Sequence, residues 1–104
     1  MKLIFLVVSA VGVLMFSGCG HKTQAGQLVF QDQCAGCHNA DSTDKKVGPG
    51  LKGLFHHDRL ANGKKLSEEN IRARIDEGGS GMPAFDQSLS DDDKSSLIAY
   101  LETL

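Results

Sequence analysis

Cys34-Ala35-Gly36-Cys37-His38 is the stretch that decides how this chain is read. A C-x-x-C pair followed at once by histidine is the sequence that attaches a c-type haem. The spacing has a chemical reason. At the end of a helix, two such thiols can each add across one of the two vinyl groups on the same haem edge, forming thioethers. The next residue then lies beneath the iron. An imidazole there can offer one ring nitrogen as axial ligand, while a backbone carbonyl holds its other N–H and fixes the tautomer. Cys34, Cys37 and His38 are the first candidate site residues, and one covalently bound haem c is the expected cofactor.

Three other readings compete for the same residues. A zinc site needs four ligands, usually with a second Cys/His pair at ligand spacing. No second Cys pair exists, and His56 and His57 are adjacent, so their side chains diverge. A thioredoxin-like redox motif does not call for histidine directly after the second cysteine. A plain disulfide formed after export is the third alternative.

Cys19 belongs to a different feature. Residues 1–18 comprise Lys2, an apolar run from Leu3 to Phe16, and the small pair Ser17-Gly18 directly before Cys19. This pattern reads as an export signal, and its apolar core is short of the about 20 residues that span a bilayer. Phe16-Ser17-Gly18-Cys19 resembles the bacterial lipoprotein cleavage box, with Phe16 where an aliphatic residue is usual. The expectation is a lipidated Cys19 at the new N-terminus, followed by a short polar tether through residue 24. Ordinary signal cleavage that leaves Cys19 as a spare thiol, or an uncleaved anchor helix, are the alternatives. Export also suits the haem reading, since covalent attachment is completed outside the bacterial cytoplasm.

Without its first 18 residues the 104-residue chain has 86, and of its methionines only Met82 remains. Lys plus Arg falls from 11 to 10 against 13 acidic side chains, a formal charge of −3. That balance excludes a nucleic-acid binder. Eighty-six residues make one domain with a modest core. A porphyrin fixed by two thioethers would supply much of the missing apolar body.

Residues 25–104 read as a helical domain. Leu28, Val29 and Phe30 predict a helix over about 25–34 that delivers the haem motif. Residues 39–47 read as loop, Gly48-Pro49-Gly50 as a turn, and residues 56–65 as a second polar loop. Ser67 as N-cap, Glu68 and Glu69 in the first turn, Ile71 and Ile75 on one face and Gly78 as the stop define another helix. Ser90, Asp91, Asp92 and Asp93 begin the last, whose stripe is Leu97, Ile98, Leu101 and Leu104. No strand is expected. Between these helices, the glycine-rich run 78–81 lets backbone approach a planar cofactor, and Pro83 stiffens the chain after Met82, an arrangement able to hold a thioether over an iron.

Three runs now stand in order: Cys34 to His38, Val47-Gly48-Pro49-Gly50-Leu51-Lys52-Gly53-Leu54, and Gly81-Met82-Pro83-Ala84-Phe85. In these, residues 25–104 resemble the class I c-type cytochromes, small all-helical monohaem electron carriers. The resemblance implies an all-α cytochrome c fold of three to five short helices around one haem. It implies that Cys34 and Cys37 bind the vinyls, that His38 and Met82 are the proximal and distal ligands, and that the Pro49 carbonyl accepts the His38 ring hydrogen bond. Gly26 and Phe30 match the positions where the first helix crosses the last, near Leu97 and Tyr100. Met82 as a plain core residue, and ligation by His56 or His57, are the alternatives.

The function expected is one-electron transfer between membrane-associated redox proteins such as a cytochrome complex, oxidase or reductase of a respiratory chain. The protein would be a monomer held by lipid at Cys19 on a bacterial membrane, facing the periplasm or the cell exterior. Lys45, Lys46, Lys52, Lys64 and Lys65 are candidates for steering an acidic partner. A haem sensor in which Met82 yields to a small ligand, and a fixed cytochrome subunit of a larger oxidoreductase, are the competing classes. No acid-base constellation marks an enzyme.

Overall fold

The structure, a computed structural model, describes Gly12 and residues 19–104; the stretch 1–18 that reads as an export signal lies, Gly12 apart, outside the described residues, as does the Cys19 side chain. Three α-helices account for the regular structure: α1 (Cys19–Gln33), α2 (Glu68–Glu77) and α3 (Asp91–Leu101), with a 3₁₀ turn at Leu54–His56. Among the described residues there is no strand, and extended pairing is confined to the isolated antiparallel bridges Arg59–Lys65 and Gly79–Met82.

Both predicted caps form. Ser67 Oγ accepts the Asn70 amide at 3.0 Å and Ser90 Oγ accepts the Asp93 amide at 3.1 Å, each worth about 1 kcal/mol to its helix. Gly78 ends α2 at φ 64°, with its amide on the Arg74 carbonyl. The N-terminal boundary differs from the expectation. α1 includes residues 19–24, so the segment read as a polar tether is part of the helix that carries the motif. A short polar stretch lacks a helical pattern of its own, but here it has a surface to lie on. Lys22 borders a cleft shared with Glu68, Glu69, Arg72 and Glu102, next to the start of α2 and the end of α3.

The core joins all three helices. Phe30 from α1, Ile71 and Ile75 from α2, Leu97, Ile98 and Leu101 from α3, and Phe85 and Leu89 from the connecting segment are buried together. The crossing of α1 on α3 rests on the absence of a side chain. A Cβ on Gly26 would overlap the Ser96 carbonyl oxygen and lie 2.8 Å from Tyr100 Cβ. One turn later, Phe30 meets Tyr100 with ring centroids 5.4 Å apart at 55°. This tilted geometry is favourable for aromatic pairs. α2 is tied to α3 by polar contacts as well: Arg72 donates to Ser95 Oγ at 2.7 Å and lies 3.7 Å from Asp91, while Lys94 sits 2.7 Å from Asp76.

Candidate haem site

The motif follows α1 as a further helical turn. Cys34 and Ala35 both donate to the Phe30 carbonyl at 2.8 Å, and Cys37 and His38 donate to the Cys34 carbonyl at 3.1 and 3.0 Å. Both thiols are therefore carried on one rigid turn, half-buried and free rather than joined as a disulfide. Burial, and secondly the neighbouring Cys37, push the Cys34 thiol up to about 11. Redox-active thiols of the thioredoxin kind show the opposite shift. No group of three or more His, Cys, Asp or Glu side chains stands ready to hold a metal ion among the described residues, so a four-ligand zinc site is not assembled there.

The loop after the motif folds back beneath His38. The Gly48 amide donates to the Cys37 carbonyl at 2.7 Å, the Leu51 amide to the Asn39 carbonyl at 2.8 Å, and Asn39 Nδ2 to the Asp44 carbonyl at 3.0 Å. These bonds bring the Pro49 carbonyl to 2.8 Å from His38 Nδ1. Since the carbonyl can only accept, Nδ1 carries the proton and Nε2 keeps its lone pair for a metal. Lys46 is committed locally, donating to the Ala35 carbonyl at 3.0 Å, whereas Lys45, Lys52, Lys64 and Lys65 are exposed.

Gly48 has a role that the sequence reading did not assign. A Cβ there would overlap His38 Cε1 and lie 2.8 Å from Nδ1 and 3.0 Å from Nε2. The backbone itself is the wall behind the imidazole. Gly48→Ala is therefore expected to turn the ring off the Pro49 carbonyl and to cost about 1–3 kcal/mol in stability. Chemical denaturation of the holoprotein, with the proton resonance of the His38 ring N–H as a local reporter, measures both effects.

Met82 lies on a tight turn. The Gly79 amide donates to the Met82 carbonyl at 2.9 Å and the Met82 amide to the Gly79 carbonyl at 3.0 Å. Ser80 and Gly81 between them have φ 52° and 89°, the left-handed pair of a type I′ turn. Arg74 Nη2 holds the Gly79 carbonyl at 3.1 Å, and a Cβ on Gly78 would crowd the Pro83 carbonyl at 2.6 Å. The glycines therefore serve to close this turn against α2. His56 and His57 are both exposed, the first closing the 3₁₀ turn and the second just beyond it.

The residues fit a haem on three counts. Two thiols share one turn, an imidazole has its Nε2 free, and Met82 offers a thioether. Between motif and turn, Leu51, Leu54, Phe55, Leu60 and Leu66 pack against the core but remain only half-buried, as does Met82. That much incompletely covered apolar surface suits a planar apolar group. A cleft of about 400 Å³ has no part in this chemistry: it is lined by Lys22, Glu68, Glu69, Arg72 and Glu102 together with Ser95, Ile98 and Ala99 of α3. A second, of about 330 Å³, includes His38 together with Phe30, Ala35, Asp41 and Tyr100. Burial, and secondly Asp41, raise the Tyr100 hydroxyl above the usual phenol range.

Residues 21–101 match the family model described as cytochrome C oxidase, cbb3-type, subunit III. The chain is 37% identical over 76 residues to cytochrome c6 of Synechocystis sp., covering 73% of this chain and 60% of that protein. With cytochrome c6 of Leptolyngbya boryana the identity is 38% over 77 residues, covering 74% of this chain and 86% of the relative. The crystal structure of cytochrome c6 from the diatom Phaeodactylum tricornutum superposes with a TM-score of 0.61 at 29% identity, over 78% of this chain and 91% of that one. The chain belongs to the class I c-type cytochromes, a small all-α protein that carries electrons on one covalently attached haem c and is not an enzyme.

Proposed function

We propose that Cys34 and Cys37 form the two thioethers and that His38 Nε2 and the Met82 sulfur are the axial donors of a one-electron carrier. The observation that carries this reading is the 2.8 Å hydrogen bond from His38 Nδ1 to the Pro49 carbonyl, which orients the ring and leaves Nε2 as a base. When bound, the haem supplies a one-electron iron couple. The protein's own contribution is positional. The loop 39–51 fixes the imidazole, the 79–82 turn fixes the thioether, and the half-buried leucines and Phe55 exclude water, which favours the less charged reduced state. With both axial donors supplied by side chains, the working chemistry is electron transfer with redox protein partners. A weak charge-transfer band at the red end of the oxidised protein's spectrum is expected from methionine ligation. A high-spin spectrum that binds carbon monoxide at once would instead support the sensor class.

In the same reading, residues 1–18 direct export, and Cys19 receives the lipid that tethers the domain to the membrane. Among the described residues no helix is long and apolar enough to cross a membrane. Fatty-acid labelling of the expressed protein is expected to disappear in Cys19→Ser, with the cytochrome released to the soluble fraction. Labelling that survives the substitution contradicts the anchor. A second reading is a fixed cytochrome subunit of a larger oxidase, favoured by the description of the matching family model. Detergent extraction distinguishes the two: a carrier elutes near its own mass, a subunit with its complex.

A further inference from the structure

α3 carries one residue that its environment does not explain on packing grounds. Lys94 is 5% exposed, in line with the apolar stripe of Leu97, Ile98 and Leu101. Its ammonium lies 2.7 Å from Asp76 Oδ1 on α2, an oxygen that is itself shielded from solvent. The same nitrogen faces the Asp86 carbonyl at 3.4 Å, four residues beyond Met82. A buried charge is expensive unless paired, and removing one partner leaves the other uncompensated. This cation therefore joins three pieces of chain: α3, α2 and the strap that descends from Met82.

The strap has few other anchors. The Phe85 amide donates to the Ile75 carbonyl at 2.9 Å, the Arg74 guanidinium holds Gly79, and Phe85 and Leu89 are buried. We propose that Lys94 is a positioning residue for Met82: its buried ammonium fastens the 83–86 strap to the α2–α3 pair and sets how readily the thioether leaves the iron. This rests on the reading of Met82 as distal donor. Without the ammonium, Asp76 keeps a solvent-shielded Oδ1 with no cation beside it, on a side chain that is otherwise 33% exposed, and the Asp86 carbonyl loses its donor. Strap and α2 then loosen together, directly beside the methionine turn.

Carbon monoxide reads this motion, because it binds ferrous haem only after Met82 departs. The measurement compares mature holoprotein with Lys94→Leu and with Arg72→Ala. The latter removes another α2–α3 link, to Ser95 and Asp91, that touches nothing in the strap. Lys94→Leu is expected to bind carbon monoxide about tenfold faster or more, as loss of a charged hydrogen bond implies. Arg72→Ala should stay near the wild-type rate even at temperatures that match the two variants in distance below their Tm. Equal rates for the two variants under that matching, or a wild-type rate in Lys94→Leu, overturn the proposal. If Lys94→Leu fails to accumulate holoprotein, the isosteric Asp76→Asn takes its place, with the same two outcomes. A wild-type protein that lacks the far-red band overturns the Met82 reading, and this proposal with it. A wild type with the band but variants with unchanged rates overturns the proposal alone.

Discussion

Met82→Ala is expected to abolish the far-red charge-transfer band, open the iron to carbon monoxide and lower the reduction potential. Thioether sulfur is a weak donor that stabilises ferrous over ferric iron, so its loss to water or hydroxide removes that preference. A differential of roughly 2–4 kcal/mol corresponds to roughly 80–170 mV, at about 59 mV per 1.4 kcal/mol for a one-electron couple. The fold should persist, because the turn is held by backbone pairs at Gly79 and by Arg74 rather than by the sulfur. Spectroelectrochemical titration measures the shift. An unchanged potential with the band intact contradicts the assignment of Met82.

Leu97→Ala is expected to act in the opposite pattern, on stability with little effect on the ligands. Leu97 is 1% exposed, the most deeply buried large side chain among the described residues, in the core beside the crossing of α1 on α3. Truncating a leucine at such a site costs about 2–5 kcal/mol through lost burial and the cavity left behind. Against the about 5–15 kcal/mol that holds a small domain, this is a large fraction, equivalent to a Tm loss on the order of 10–30 °C. The spectrum at low temperature should remain that of the wild type, since neither His38 nor Met82 is bonded to this residue. A Tm within a few degrees of wild type contradicts the central place given to the crossing. Helices α1 and α3 meet so closely at Gly26 that little backbone adjustment is available to close the gap.

Much of this was legible in the sequence, and for identifiable reasons. Local signals carried the helices: Ser67 and Ser90 cap because a short hydroxyl side chain can reach an amide three residues on, whatever the tertiary context. Gly26 and Phe30 were readable at the crossing through resemblance, and the structure places them against Ser96 and Tyr100. The ring hydrogen bond from His38 to Pro49 was anticipated in the same way.

What escaped was set by distant parts of the chain. Gly48 looks like turn punctuation before Pro49; only the fold shows that it is the wall behind the His38 ring. No local pattern announces that residues 19–24 are helical; Lys22 there borders a cleft shared with residues of α2 and α3. Lys94 left a faint trace, since it occupies a position on the same helical stripe as Leu97, Ile98 and Leu101. A lysine on an apolar face normally snorkels to water. Its burial follows from Asp76 on a different helix, so the partner could not be named from the sequence.

The central claim, a His38/Met82 pair on one covalent haem, is tested most directly by NMR of the reduced holoprotein labelled with methyl-¹³C methionine. Residues 19–104 hold a single methionine, Met82, so a protein produced from Cys19 onward gives a spectrum with one possible source. The methyl of a methionine whose sulfur is bound to the iron would lie over the porphyrin face, where the ring current would shield it strongly. The expected result is one methyl resonance far upfield of the ordinary methionine range, absent in Met82→Ala. A labelled methyl at its ordinary position in the wild-type reduced protein would contradict the His/Met site.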